Sequence, residues 1–159
     1  MKKPDQKEAP LFREGFTTGV EHYTIEVPEI RSGEAYYFET GSGLRYQVLF
    51  ARKKNNYLEH IVNFSVLNDE FEDEYSETNR GEIYRVIATV VEIIRIYHGI
   101  HSYSTSFEFS GEFKKGNEGR GTSIRSMLYY RKAREIMHPS WEIEMDGNKV
   151  TVHRRKTRH

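Results

Sequence analysis

The chain has 159 residues with 24 basic and 24 acidic side chains, so its formal net charge is zero. This balance removes any whole-molecule electrostatic argument for nucleic-acid binding and leaves only local patches. The absence of cysteine excludes disulfides, thiolate catalysis and cysteine metal sites. Because the composition shows no break along the chain, we expect a single domain with one core.

The opening segment combines proline and glycine with charged residues, which predicts a flexible N-terminal arm over 1–20. It lacks the apolar run of a signal peptide, and no later segment approaches the roughly 20 apolar residues of a membrane span. We therefore expect a cytoplasmic protein without membrane contact. The domain itself is predicted over 21–155, followed by a basic tail over 156–159.

Alternating apolar residues predict four strands in the first half of the chain. The first covers 22–27 and ends before Pro28. Two further runs, 34–40 and 44–53, lie on either side of Gly41-Ser42-Gly43, which is the pattern of a β-hairpin. A fourth run covers 58–67, so that the last three strands are expected to form a meander.

Residues 78–97 carry the clearest helix pattern, since apolar side chains recur there every three or four positions. We expect Asn79 to cap this helix and Glu82 to complete a capping box. Gly99 is expected to end it in a left-handed conformation. The first turn also leaves backbone N–H groups that could receive an anion.

The second half adds a strand over 103–109, a loop rich in glycine and lysine over 111–121, a helix over 122–137 and a closing hairpin that turns at 146–148. The order β-βββ-α-β-α-ββ predicts an α+β fold, an α/β sandwich. Two helices would cover a mixed, mostly antiparallel sheet of about six to seven strands. If 58–67 and 103–109 are parallel neighbours, the helix between them forms a right-handed crossover.

This order of elements resembles the back half of the GNAT acyltransferase fold over about residues 34–155. The resemblance implies a domain that binds acetyl-CoA and transfers its acyl group to an amine. In that family the strand that corresponds to 58–67 pairs with the pantetheine arm, and the loop that corresponds to 78–83 wraps the pyrophosphate. Of the family's loop pattern this chain retains only Gly81, and the two helices that follow the family's first strand are missing or reduced to 28–33.

The resemblance implies site residues as well. The cofactor contacts would come from Val66, Leu67, Asn79, Arg80 and Gly81. Tyr129, in a Leu-Tyr pair typical of the family, would protonate the departing thiolate. Glu59 on its strand could act as a general base if burial raised its pKa, and Glu108 has the same potential.

A narrower resemblance comes from two segments about 30 residues apart, one around Asn79-x-Gly81-Glu82-x-x-Arg85 and one around Ser123-x-Arg125-x-x-Leu128-Tyr129. This double motif is similar to an uncharacterised family of small bacterial and phage proteins, and it implies kinship without an activity. Arg85 and Arg125 belong to it and are our preferred candidates for a shared anion site. A structural salt bridge with Glu82 or Glu108 is the alternative.

Three further patterns remain open. The loop over 111–121 either cradles a phosphate or is only a connector. His98 and His101 lie close together in the sequence, but no third ligand is evident and we expect no metal. The basic residues of the second helix and of 153–159 either contact a nucleic-acid backbone or are simply solvated.

The leading hypothesis is a GNAT-like domain that binds acyl-CoA, or a similar phosphate-bearing ligand, between strands 58–67 and 103–109. The alternative is a noncatalytic bacterial or phage module that binds a protein partner. A third hypothesis is nucleic-acid binding through the second helix and the tail.

Overall fold

The computed structural model describes residues 10–13, 19–30, 33–67, 80–110, 124–147 and 149–155. Most of the predicted arm, the loop over 111–121 and the tail over 156–159 lie outside the described residues. Within the described ranges, neither helix combines the length and the apolar character that crossing a membrane requires. The cytoplasmic location remains a prediction.

The described residues form one six-stranded sheet and two helices. The elements, in chain order, are β1 (Ala35–Glu39), β2 (Arg45–Lys53), β3 (Asn56–Val66), α1 (Arg80–Ile100), β4 (Ser106–Ser110), α2 (Ile124–Ile136), β5 (Trp141–Asp146) and β6 (Lys149–Arg154). The strands lie in the order β1-β2-β3-β4-β6-β5. All neighbours are antiparallel except β3 and β4, which are parallel and joined through α1. The predicted α+β class, with its mixed and mostly antiparallel sheet, is confirmed.

The predicted first strand is reduced to one isolated bridge between Glu26 and Tyr37. Their backbones exchange two hydrogen bonds, of 2.8 and 3.1 Å. The pairing goes no further along the chain because Pro28 has no N–H to donate and the Val27 side chain is 59% exposed. A short ion pair of 2.8 Å between Glu26 and Arg45 holds the bridge against β2.

Helix α1 continues through Gly99, so the predicted left-handed stop at that residue is wrong. Gly99 has no positive φ, and the backbone N–H of His101 still donates to the Tyr97 carbonyl at 2.9 Å. The Nδ1 atom of His101 also lies 3.1 Å from that carbonyl. A buried histidine thus ends the helix, and Ser104 turns the chain by donating its N–H to the His101 carbonyl at 3.1 Å.

Both helices pack on the same face of the sheet, which we term the inner face. In β2 the side chains of Tyr46, Val48 and Phe50 are fully buried there, as the strand period requires. Tyr97 of α1 stacks on Phe50 with ring centroids 3.8 Å apart. Between α1, α2 and the sheet lies a mostly apolar cavity of about 40 Å³.

The opposite face of the sheet, termed the open face, carries the alternate residues of each strand. Its members are mostly polar and, apart from the buried Ser106, mostly half-buried or exposed, for example Gln47, Leu49, Glu59, Glu108 and His153. Lys53 bridges Glu59 and Glu108 on this face, with Nζ 3.4 and 3.1 Å from the two carboxylates. The two faces therefore separate the core from a charged surface.

Candidate functional site

The amino end of α1 borders an open cleft, termed the α1 cleft. Its walls are the segment that precedes β1, the turn between β1 and β2, and the first turns of α1. The lining residues are Val20, Tyr23, Gly41, Ser42, Glu82, Tyr84 and Arg85. Because backbone N–H groups and the helix dipole favour negative charge at such an end, this cleft is where the predicted anion seat would lie.

Two contacts hold the Arg85 side chain against the wall of the α1 cleft. Its guanidinium carbon lies 4.0 Å from the centroid of the Tyr23 ring, and its Nε donates to the Glu21 carbonyl at 3.1 Å. Tyr23 is itself buried, and its backbone N–H donates to the Thr89 hydroxyl at 2.9 Å. Helix α1 therefore supplies Arg85 and also, through Thr89, fixes Tyr23, the ring on which Arg85 stacks.

The outer Nη atoms of Arg85 have no hydrogen-bond or ion-pair partner among the described residues. The alternative that Arg85 forms a salt bridge with Glu82 or Glu108 is therefore not observed in this part of the chain. Glu108 instead faces Lys53 at 3.1 Å and Lys149 at 4.0 Å on the open face. A guanidinium held in this way presents two donors to a ligand in the cleft.

Glu82 lies in the first turn of α1 and ties the helix to the β1–β2 turn. Its Oε1 accepts a hydrogen bond from the Ser42 backbone N–H at 2.9 Å. Burial acts to raise the pKa of Glu82, but hydrogen bonds from Ser42, Thr40 and Tyr23 outweigh it, and the pKa is lowered. The carboxylate therefore stays ionised and adds a negative charge to the cleft wall. Its predicted capping-box partner, Asn79, lies outside the described residues.

The β1–β2 turn has the geometry that its glycines predict. Gly43 adopts a φ of 93°, a backbone conformation that residues other than glycine rarely adopt. The Thr40 hydroxyl accepts the Leu44 N–H at 3.0 Å and closes the turn. This closure presents the Ser42 N–H to Glu82, so the hairpin signal in the sequence also builds one wall of the cleft.

The predicted cofactor residues are only partly described. Asn79 lies outside the described residues, and only the backbone is described for four others: Val66 at the end of β3, Arg80 and Gly81 in the first turn of α1, and Arg125 on α2. Leu67 is half-exposed and donates its backbone N–H to the Arg45 carbonyl at 2.7 Å. Among the predicted cofactor residues with described side chains, Arg85 lines the cleft and Leu67 does not.

The predicted catalytic residues are not brought to the cleft by any described contact. Glu59 lies on the open face, and its carboxylate faces Lys53 and accepts a hydrogen bond from Asn56 Nδ2 at 3.0 Å. It precedes the end of β3 by seven residues, or roughly 23 Å of extended strand. Because α1 packs on the inner face and Glu59 is on the open face, Arg85 and Glu59 lie on opposite sides of the sheet. Tyr129 lies on α2, but its side chain is not described.

The parallel pair β3 and β4 is hydrogen-bonded where the two strands overlap. Its register runs without interruption from Glu59 opposite Ser106 to Val62 opposite Phe109. A pantetheine arm between the strands would need a gap, and this overlap contains none. Strand β3 continues to Val66, past the last residue of β4.

A buried polar cluster around His60 was not assigned any role from the sequence. His60, Tyr97 and Ser104 are all fully buried on the inner face. His60 Nδ1 lies 2.9 Å from the Tyr97 hydroxyl, and Nε2 lies 3.0 Å from the Ser104 hydroxyl. Ser104 gives its only proton to the His101 carbonyl at 2.6 Å. His60 must therefore donate from Nε2 and accept at Nδ1.

This hydrogen-bond chain holds His60 in its neutral form. Burial, followed by electrostatic interactions with His101, Arg52 and His98, lowers the pKa of His60 from 6.5 to about 4. Ser104 is hydrogen-bonded as a donor to a carbonyl, so the imidazole cannot take its proton as a general base would. The cluster is a satisfied core element, and the sequence signal for it was a histidine at an apolar position of β3.

The other histidine and basic patterns have structural partners. The His98 ring packs edge-on against Trp141, with centroids 5.8 Å apart. Arg154 donates to the Ser102 carbonyl at 2.9 Å, and Arg155 pairs with Glu142 at 2.8 Å. These contacts engage two of the arginines that the nucleic-acid hypothesis used.

Comparison with protein-family models, with curated proteins and with solved structures finds no match to this chain. The likeness to the GNAT fold therefore rests on the order of elements and on the residues quoted above.

Proposed function

We propose that this protein is a GNAT-like domain that binds acetyl-CoA, or a related phosphate-bearing ligand, through the α1 cleft. The observation that carries the proposal is the position of Arg85, which is stacked on Tyr23 with its Nη atoms directed to no described partner. Acyl transfer to an amine is the further step that the resemblance implies, with Tyr129 as the acid.

The chemistry of the cleft suits a phosphate. Arg85 offers two parallel N–H donors, which match phosphate oxygens in a bidentate contact. The stacked guanidinium has already lost much of its rotamer freedom, so binding costs less entropy. Arg80 and Gly81 occupy the first two positions of α1, where backbone N–H groups also favour an anion.

Glu82 limits where the phosphate can lie. Its ionised carboxylate repels an anion that approaches the wall formed by the β1–β2 turn. A phosphate would therefore bind on the Arg85 side of the cleft. We expect modest affinity, because attraction to the arginine and repulsion from the glutamate partly cancel.

The second candidate is a noncatalytic module on the same scaffold. It is favoured by the uninterrupted β3–β4 overlap and by the position of Glu59 away from the cleft. Under this alternative the α1 cleft binds no acyl carrier and the domain contacts a protein partner.

Thermal unfolding with increasing acetyl-CoA separates the two candidates. A ligand at 100 times its dissociation constant adds about 2.7 kcal/mol of stability. For a domain of this size that corresponds to an increase in Tm of about 5–10 °C. We expect this increase for the native chain and for Arg131→Gln, which removes an exposed charge from α2, and its loss in Arg85→Gln.

An unchanged Tm up to millimolar acetyl-CoA would reject the proposal and favour the noncatalytic module. Equal shifts in the native chain and Arg85→Gln would place the ligand elsewhere. Release of free thiol from acetyl-CoA in the presence of amines tests the transfer step. Tyr129→Phe should then reduce thiol release while leaving the ligand-induced increase in Tm unchanged.

A further inference from the structure

The terminal hairpin places three metal-ligating side chains together on the open face. Strands β5 and β6 are antiparallel, with Glu142 opposite His153 and Glu144 opposite Thr151. Residues two apart on a strand share a face, so Glu144 projects beside Glu142. The three side chains, termed the β5–β6 triad, thus converge through strand register.

The spacing within the β5–β6 triad is close to the ligand spacing of a single zinc ion. His153 Nε2 lies 3.7 Å from Glu142 Oε2 and 3.3 Å from Glu144 Oε2, and the three ligand atoms lie within 4.8 Å of one another. Zinc bonds to nitrogen and oxygen are about 2.0–2.2 Å long, so two ligands of a tetrahedral zinc are roughly 3.3–3.5 Å apart. Small side-chain movements would therefore complete the coordination.

Neighbouring groups orient two of the three ligands. His153 Nδ1 lies 3.3 Å from the Arg154 carbonyl, so an Nδ1–H can donate there and leave the lone pair of Nε2 towards the carboxylates. Glu142 uses Oε1 to accept from Arg155 at 2.8 Å, and its Oε2 is the atom nearest His153. Such outer contacts to a carboxylate and an imidazole are typical of metal ligands.

We propose that Glu142, Glu144 and His153 form a binding site for a divalent transition metal, best suited to Zn²⁺, with water completing the coordination. An imidazole ligand favours Zn²⁺ over Mg²⁺ and Ca²⁺, which prefer oxygen ligands alone. The side chain of His153 is 32% exposed and that of Glu144 is 68% exposed, so an ion and its water can reach the site. The sequence alone predicted no metal, and this site is separate from the α1 cleft.

The alternative is that a protonated His153 simply forms ion pairs with the two carboxylates. The two explanations differ in what zinc does. A metal site binds one Zn²⁺ per chain through Nε2 of His153. In an ion pair the proton on His153 competes with Zn²⁺, and the metal does not stabilise the pair.

The test is a titration of the full chain with Zn²⁺ at pH 7 against a chromophoric chelator. We expect one zinc per chain, and at least tenfold weaker binding in His153→Gln and in Glu144→Gln. The matched control is His22→Gln, which removes an exposed histidine outside the triad and should bind like the native chain. Because Glu144 is strongly exposed, Glu144→Gln should keep the native fluorescence of Trp141 and remain interpretable.

Equal zinc affinity in the native chain and His153→Gln would overturn the proposal. So would Mg²⁺ competing as strongly as Zn²⁺, since that would indicate only a diffuse attraction to carboxylates. A further readout is the His153 ring in NMR spectra, which should shift at one equivalent of Zn²⁺ and not at one equivalent of Mg²⁺.

Discussion

Acidification from pH 7 to pH 4 should destabilise the fold through the buried imidazole of His60. The ring is fully buried and accepts a hydrogen bond from the Tyr97 hydroxyl, which only the neutral form can do. Burial is the main cause that lowers its pKa from 6.5 to about 4. In the unfolded chain the same group titrates near pH 6.5.

The direction of the pH effect on stability follows from the number of protons that the folded and unfolded chains bind. Between pH 6.5 and pH 4 the unfolded chain binds a proton at His60 and the folded chain does not, so stability falls as the pH falls. The stability that depends on a neutral His60 is present in full above about pH 6.5 and is lost by about pH 4. At 1.36 kcal/mol for each pKa unit, the pKa difference between 6.5 and about 4 corresponds to about 3 kcal/mol. This is a large part of the 5–15 kcal/mol that typically stabilises a domain.

Urea unfolding at a series of pH values measures this loss, with the fluorescence of the single buried tryptophan, Trp141, as the signal. His60→Gln removes the titration while keeping one acceptor and one donor on the side chain. Carboxylates such as Glu82 titrate in both proteins, so they cancel in the difference between the two stability curves. We expect the native chain to lose about 3 kcal/mol more than His60→Gln between pH 7 and pH 4, and His22→Gln to follow the native chain. Parallel curves for the native chain and His60→Gln would refute the reasoning.

Three further substitutions test the cleft and the burial of the core. Glu82→Gln should lower the free energy of unfolding by about 1 kcal/mol, because the hydrogen bond from the Ser42 N–H loses its charge. If the α1 cleft binds phosphate, the same variant should bind acetyl-CoA more tightly than the native chain, and weaker binding would contradict the proposed geometry. Ile93→Ala in the fully buried side of α1 should cost about 2–5 kcal/mol in urea unfolding. Leu49→Ala on the open face, where the residue is 37% exposed, should cost clearly less, and equal losses would contradict the difference in burial between these two side chains.

Local patterns in the sequence were sufficient for the elements that depend on neighbouring residues. The period of two in β2, the period near 3.6 in α1 and the glycines around Ser42 each predicted a structure that is confirmed. The reason is that these patterns describe which face of an element is apolar and where a turn is sterically allowed. Gly99 shows the limit of this reasoning, because a suitable glycine did not end α1 once His101 and Ser104 supplied other hydrogen bonds.

The contacts that define the candidate sites depend on residues far apart in the sequence. Arg85 is oriented by Glu21 and Tyr23, more than 60 positions earlier, and the role of His60 follows from its buried neighbours on α1 and beyond. The β5–β6 triad exists only in one strand register, since a shift by one residue would turn His153 to the inner face. Composition and periodicity determined the α+β class and the apolar faces of this protein. Only the tertiary structure decided which charged and polar side chains meet, because strand register and helix docking are set by the packing of the whole core.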